Sequence, residues 1–145
     1  MKTKAAVLWE LNAPWSVEEI ELDAPGPNEV LVKLAASGMC HSDEHLVTGD
    51  LPFELPIIGG HEGAGVVQQV GSNVSWLAPG DHVVFGFIPS CGRCVSCSPG
   101  HQNLCDLGAY LATGKQIGDQ TSRHHKDGKD LGIMCLLGTF AEHTV

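Results

Sequence analysis

The sequence predicts a mainly β domain, folded as a small barrel with short helices and a separate cysteine-rich lobe. Three observations predict it. Short apolar runs recur along the chain, and one of them, Glu29-Val30-Leu31-Val32-Lys33-Leu34, alternates with the period of two that a half-buried strand requires. Glycine and proline, 18 and 8 of 145 residues, sit between these runs as corners instead of forming a tract. Four of the 6 cysteines fall between positions 91 and 105. With 43% hydrophobic residues, the length suits one domain, residues 1–145, with a sizeable core.

The elements follow in order. Lys4 to Glu10 and Val17 to Leu22 read as strands joined by the turn Asn12-Ala13-Pro14, and Pro25-Gly26-Pro27 precedes the third strand. One short helix is expected from Ser42, a good N-cap, with Asp43 and Glu44 at its positively polarised start, fading at Thr48-Gly49. Gly63 to Gly71 and Asp81 to Phe87 read as two more strands, the second launched by Pro79-Gly80, and Thr139 to Val145 as a sixth. Residues 107–137 are Gly-rich and polar and read as a long surface loop or hairpin, with His124 and His125 as solvated loop residues. The chain stops in or just after a strand with no polar tail, which is expected of a piece of a longer protein.

Charge and hydropathy exclude several functions. Eight Lys and Arg against 17 Asp and Glu give a formal charge of −9, which argues against nucleic acid or an anionic membrane surface as partner. No apolar run is long enough to span a bilayer, and Ala5-Ala6-Val7-Leu8-Trp9 is cut off by Glu10, too short for a signal-peptide core. A cytoplasmic, reducing setting is expected, with thiolates in place of disulfides.

Cys91, Cys94, Cys97 and Cys105 form C-x2-C-x2-C-x7-C, with Gly92 and Gly100 letting the backbone wrap closely. Four thiolates fill the tetrahedral shell of Zn2+ and leave no position for substrate, so a site of this kind, within a lobe spanning about residues 88–108, is structural. An iron-sulfur cluster is the rival, because the first three cysteines match a ferredoxin run; there, however, the fourth follows after three residues and precedes proline. Here it precedes Asp106.

A second group comprises Gly38-Met39-Cys40-His41-Ser42-Asp43-Glu44-His45 and, further on, Gly60-His61-Glu62-Gly63-Ala64-Gly65. Alone, each stretch is a weak signal, and a simply buried Cys40 with His61 held by a carbonyl accounts for them better than metal ligation does. Taken with the cysteine cluster and Pro79-Gly80-Asp81-His82-Val83, their order and spacing resemble the N-terminal catalytic domain of zinc-dependent alcohol dehydrogenases of the medium-chain dehydrogenase/reductase superfamily. The resemblance covers essentially the whole chain and only the GroES-like half of a typical member. Gln102 to Ala109 and the loop after it look closest to an actinobacterial branch described as nicotinoprotein or dye-linked alcohol dehydrogenases.

The resemblance implies a GroES-like, partly open β-barrel and a function in hydride transfer from a zinc-bound alcohol to NAD. It implies that Cys40 and His61 bind a catalytic zinc, with Glu62 beside it as a reserve ligand or electrostatic tuner and Asp43 orienting His61. Ser42 would accept the alcohol proton and His45 pass it to solvent. His41, with His45, falls where members meet the cofactor; a histidine is a weaker, pH-dependent anion contact than the arginine often found there. A small alcohol or aldehyde is the implied partner, and a homo-oligomer the implied state of the complete enzyme.

Two departures stand out. The downstream third cysteine ligand and the Rossmann cofactor domain are absent from this chain, which contains no G-x-G-x-x-G, so the fragment alone is expected to be inactive. Cys135, set in Ile133-Met134-Cys135-Leu136-Leu137, reads as a buried apolar thiol in preference to a replacement ligand. His82, His101 and His143 read as structural, Trp9, Trp15 and Trp76 as packing residues, and Phe87 or Leu111 as candidates to line a substrate pocket. The alternative functions are a free-standing zinc-stabilised binding module and an iron-sulfur electron carrier.

Overall fold

The computed structural model describes residues 1–145. Its strands are β1 (Lys2–Leu8), β2 (Ser16–Leu22), β3 (Val30–Gly38), β4 (Ile57–Ile58), β5 (Glu62–Val70), β6 (His82–Val84), β7 (His124–Lys126), β8 (Lys129–Ile133) and β9 (His143–Thr144), with one helix, α1 (His41–Thr48). Alternation decides which side chains face inward. In β1, Thr3, Ala5 and Val7 are buried while Lys2 and Lys4 are exposed, and in β2 Ile20 and Leu22 are buried while Glu19 and Glu21 are exposed.

Five strands close into a barrel in the order β1-β2-β7-β8-β4, and a four-stranded sheet, β6-β5-β3-β9, stays open beside it. Most pairs are antiparallel; β4 meets β8 in parallel, with Ile57 opposite Gly132 and Ile58 opposite Ile133. The barrel core is Ala5, Val7, Ile20, Ile58 and Leu131. A second cluster of Leu8, Leu46, Ile57 and Met134 seats α1 on the barrel through Leu46, with Cys135 at its edge. Cys135 is half-buried, and burial pushes its thiol up to about 11.

Several expectations need correction. Helix α1 is capped by Cys40, not Ser42: the Asp43 carboxylate reaches back to accept the Cys40 backbone N–H at 2.8 Å, satisfying a donor that the helix start leaves free. Gly49, at φ 84°, terminates it in the left-handed conformation that glycine adopts without a Cβ clash. The strands expected at 81–87 and 139–145 shrink to His82–Val84 and His143–Thr144.

The polar stretch after residue 107 contributes a barrel hairpin, β7–β8, turned by Asp127-Gly128 at φ 50° and 76°. His124 is therefore completely buried, opposite Leu22 on one side and Leu131 on the other, and is not a solvated loop residue. His125 points outward, bonded to Asp23 and Asp130. Trp76 is 73% exposed and packs nothing into the core.

Candidate metal centres

The lobe between β6 and β7 consists of turns and two short 3-10 segments, Gln102–Leu104 and Asp106–Tyr110. The four sulfurs of Cys91, Cys94, Cys97 and Cys105 lie within 4.8 Å of one another. Backbone N–H groups point at them: Cys91 donates to the Cys105 Sγ and Cys97 to the Cys94 Sγ, both at 3.4 Å. The Asp106 and Cys97 backbone amides pull the Cys94 thiol down to about 6, whereas burial pushes Cys97 up to about 11.

A single tetrahedral ion with sulfur bonds of about 2.3 Å separates its ligands by roughly 3.8 Å, which this cluster accommodates. A multi-iron cluster needs a core between its thiolates, for which the spacing is too tight. The sulfur donor set and the N–H groups aimed at it fit one zinc-like ion.

The second cluster joins three parts of the chain. β3 delivers Cys40 to the start of α1, while Gly59-Gly60 turns the chain from β4 into His61 and Glu62 at the head of β5. Gly60 sits at φ 86°, and a Cβ there would press to 2.7 Å on the Phe140 backbone nitrogen, so both conformation and space demand glycine. Phe140 and Thr139 donate backbone hydrogen bonds to the carbonyls of Gly59 and Gly60. The ligand atoms of Cys40, His61 and Glu62 then lie within 4.8 Å of one another; Cys135 is not among them.

Asp43 ties the cluster together. One carboxylate oxygen accepts the Cys40 N–H, and the other accepts the Gly60 N–H at 3.1 Å and lies 3.6 Å from His61 Nδ1. His61 is buried, its ring edge-to-face with Phe87, and its Nδ1 has no hydrogen-bond partner. A buried imidazole left short of a partner is costly, and metal ligation with a tightened Asp43 contact would offset that cost. One thiol, one imidazole and one carboxylate are an acceptable but incomplete shell for zinc, leaving a position open.

Ser42 Oγ lies 3.7 Å from the Cys40 sulfur, so that hydroxyl borders the cluster. No hydrogen bond joins Ser42 to His45. His45 is held instead by Asp50, 3.2 Å from its Nδ1, and by the His41 ring, edge-to-face at 4.7 Å. His41 is exposed, at the rim of a cavity of about 960 Å³ that also touches Trp15, Met39, Cys40 and Phe140. Trp15, expected as a packing residue, and Phe140, not among the expected site residues, meet edge-to-face at 5.6 Å and wall this cavity. A lone phenyl ring in the otherwise small and polar run Gly138 to Thr144 was the available signal.

Comparison with known proteins agrees with this architecture. Residues 26–145 match the family model described as the alcohol dehydrogenase GroES-like domain. The chain is 55% identical over 146 residues to alcohol dehydrogenase B of Mycobacterium tuberculosis, covering 100% of this chain and 39% of that protein. To the NDMA-dependent alcohol dehydrogenase of Amycolatopsis methanolica it is 54% identical over 142 residues, 98% of this chain and 38% of that one. The crystal structure of an alcohol dehydrogenase zinc-binding domain protein from Burkholderia ambifaria superposes with a TM-score of 0.91 at 38% identity, over 99% of this chain and 39% of the other. The chain thus spans about two fifths of the length of the relatives it matches.

Proposed function

Because the chain belongs to the alcohol dehydrogenase GroES-like domain family, we propose that it is the catalytic-domain portion of a zinc-dependent alcohol dehydrogenase that oxidises a small alcohol, or reduces its aldehyde, with NAD as the hydride carrier. The convergence of Cys40, His61 and Glu62 beside the Ser42 hydroxyl is the observation that supports this most. In this reading those three residues hold a catalytic zinc, and Cys91, Cys94, Cys97 and Cys105 hold a structural one. Residues 1–145 form the catalytic domain, and the cofactor fold belongs to the remainder of a longer, cytoplasmic, homo-oligomeric enzyme. No helix of the structure is long and apolar enough to cross a membrane.

Zinc bound at Cys40 and His61 supplies Lewis acidity that lowers the pKa of a coordinated hydroxyl. The chain's own residues do the rest. Asp43 fixes Cys40 and the Gly60-His61 backbone relative to each other. Ser42 receives the proton of the alcohol as its own hydroxyl proton passes through water toward His45, and its position at the first turn of α1 keeps a charged base away from the metal. Asp50 engages Nδ1 of His45 and leaves the other ring nitrogen to exchange protons with solvent. His41, exposed at the cavity rim, offers an anion contact for the cofactor.

Substitution in the full-length enzyme tests this. Cys40→Ser or His61→Ala should abolish alcohol turnover while the lobe retains its ion; undiminished turnover would overturn the proposed centre. Ser42→Ala should slow oxidation at every pH. His45→Gln should act mostly below about pH 8, where hydroxide is scarce, with partial rescue by small amine buffers. A flat ratio of mutant to wild-type rates across pH, without rescue, rules out the relay.

A further inference from the structure

Gly38 closes β3 directly opposite Glu62, the two being Cα partners in the β3–β5 ladder. Its φ lies outside the left-handed region, so the backbone there suits any residue, and what the position requires is space. A Cβ on Gly38 would fall inside the contact radius of Glu62 Oε2 and lie 3.2 and 3.3 Å from the Glu62 Cβ and Cδ. The carboxylate therefore lies folded across the glycine instead of extending into solvent.

Two hydroxyls hold the backbone beneath. The Glu62 carbonyl accepts from the Ser37 hydroxyl at 2.9 Å and the Thr139 hydroxyl at 3.4 Å. Side-chain direction is the remaining freedom, and Glu62 is exposed enough to swing outward at little cost. Glycine within a strand weakens pairing and often marks the close approach of another group, which here is this carboxylate.

We propose that Gly38 is a positioning residue: its bare Cα is the floor on which the Glu62 carboxylate rests within ligand distance of Cys40 and His61. The proposal rests on the reading of Cys40 and His61 as a zinc site. Alanine at position 38 pushes the Glu62 carboxylate out toward water, since Oε2 and Cδ belong to the flexible end of that side chain, while its 3.2 Å approach to the Glu62 Cβ asks the ladder to give by a few tenths of an ångström.

The test loads the four-cysteine lobe with zinc and titrates cobalt(II) into the second site, following the thiolate-to-cobalt absorption that Cys40 supplies. Gly38→Ala and Glu62→Ala should each weaken cobalt binding by roughly 10–100-fold, the range seen when groups supporting a metal site are removed. The double variant should bind no more weakly than Glu62→Ala alone. Glu62→Asp, which leaves Gly38 intact and withdraws the carboxylate by one methylene, should lose affinity as well and serves if Gly38→Ala fails to fold.

Wild-type affinity in Gly38→Ala or in Glu62→Asp overturns the positioning role, as do additive losses in the double variant. If Cys40→Ser retains as much cobalt as the wild type by elemental analysis after gel filtration, the zinc-site reading itself fails, a result distinct from the others.

Discussion

His124 should make the barrel sensitive to acid, and one substitution should remove that sensitivity. Its imidazole is wholly buried, and burial holds its pKa down to about 3 against an ordinary 6.5. Thr144 gives its hydroxyl proton to the Leu137 carbonyl at 2.6 Å and so meets His124 Nε2, at 3.5 Å, as an acceptor; Nδ1 has no partner. Between about pH 6.5 and pH 3 the unfolded chain binds a proton at this residue and the folded chain does not. Stability is therefore complete above the unfolded pKa and falls as the pH drops, by about 1.4 kcal/mol per unit.

At about pH 4.5 the accumulated loss is roughly 2.7 kcal/mol. His124→Leu fills the same site between Leu22 and Leu131, gives up one long hydrogen bond and relieves one unpartnered nitrogen, so at neutral pH it should change stability by no more than about 1 kcal/mol. Urea titrations of both proteins at a series of pH values measure the difference, in which the metal sites common to both cancel. The variant's midpoint should move above that of the wild type on acidification, by about 1.4 M near pH 4.5 for a slope of about 2 kcal/mol per molar. A stability difference that stays constant with pH would refute the buried neutral histidine.

Two further outcomes follow from the lobe and from the flank of the barrel. Cys94→Ser should release the lobe ion and lower the melting temperature, both read by elemental analysis and calorimetry; an unchanged metal count would rule out the four-sulfur site. Arg123 clamps Glu29 through two bonds of 2.8 Å and Asp119 through one of 2.6 Å. Because the cluster opens onto a cavity, Arg123→Ala should cost roughly 1–2 kcal/mol in urea unfolding, with Asp119→Ala costing clearly less; equal losses would contradict a clamp centred on Glu29.

The features legible in the sequence were those encoded locally. Strand-like runs around a turn signal marked β1 and β2, alternation marked β3, and the C-x2-C-x2-C-x7-C spacing marked the lobe, because neighbouring residues alone determine these patterns. β4 was invisible: two residues, Ile57 and Ile58, have no period, and they become a strand only because β1 and β8 flank them. His124 was misread for a related reason. Its charged neighbours signal solvent, whereas the hairpin turn at Asp127-Gly128 delivers it to β2 across a gap of a hundred residues.

At the candidate site, residue types were readable but not their partners. Ser42 looked the better cap by propensity, yet Asp43 selects Cys40 because the same carboxylate must also meet Gly60. The clearance over Gly38 depends on the β3–β5 register, which no local pattern specifies.

β4 also sets where the barrel breathes. Two residues form the ladder that joins β1 to β8, and His61 begins three positions after Ile58 on the same strand of backbone. Local opening of that seam would leave the Gly59-Gly60 turn, and with it the imidazole's position relative to Cys40, held only by Thr139, Phe140 and Asp43. Amide exchange at Ile57 and Ile58 should therefore slow when the centre is occupied, because an occupant that holds His61 also latches the wall behind it.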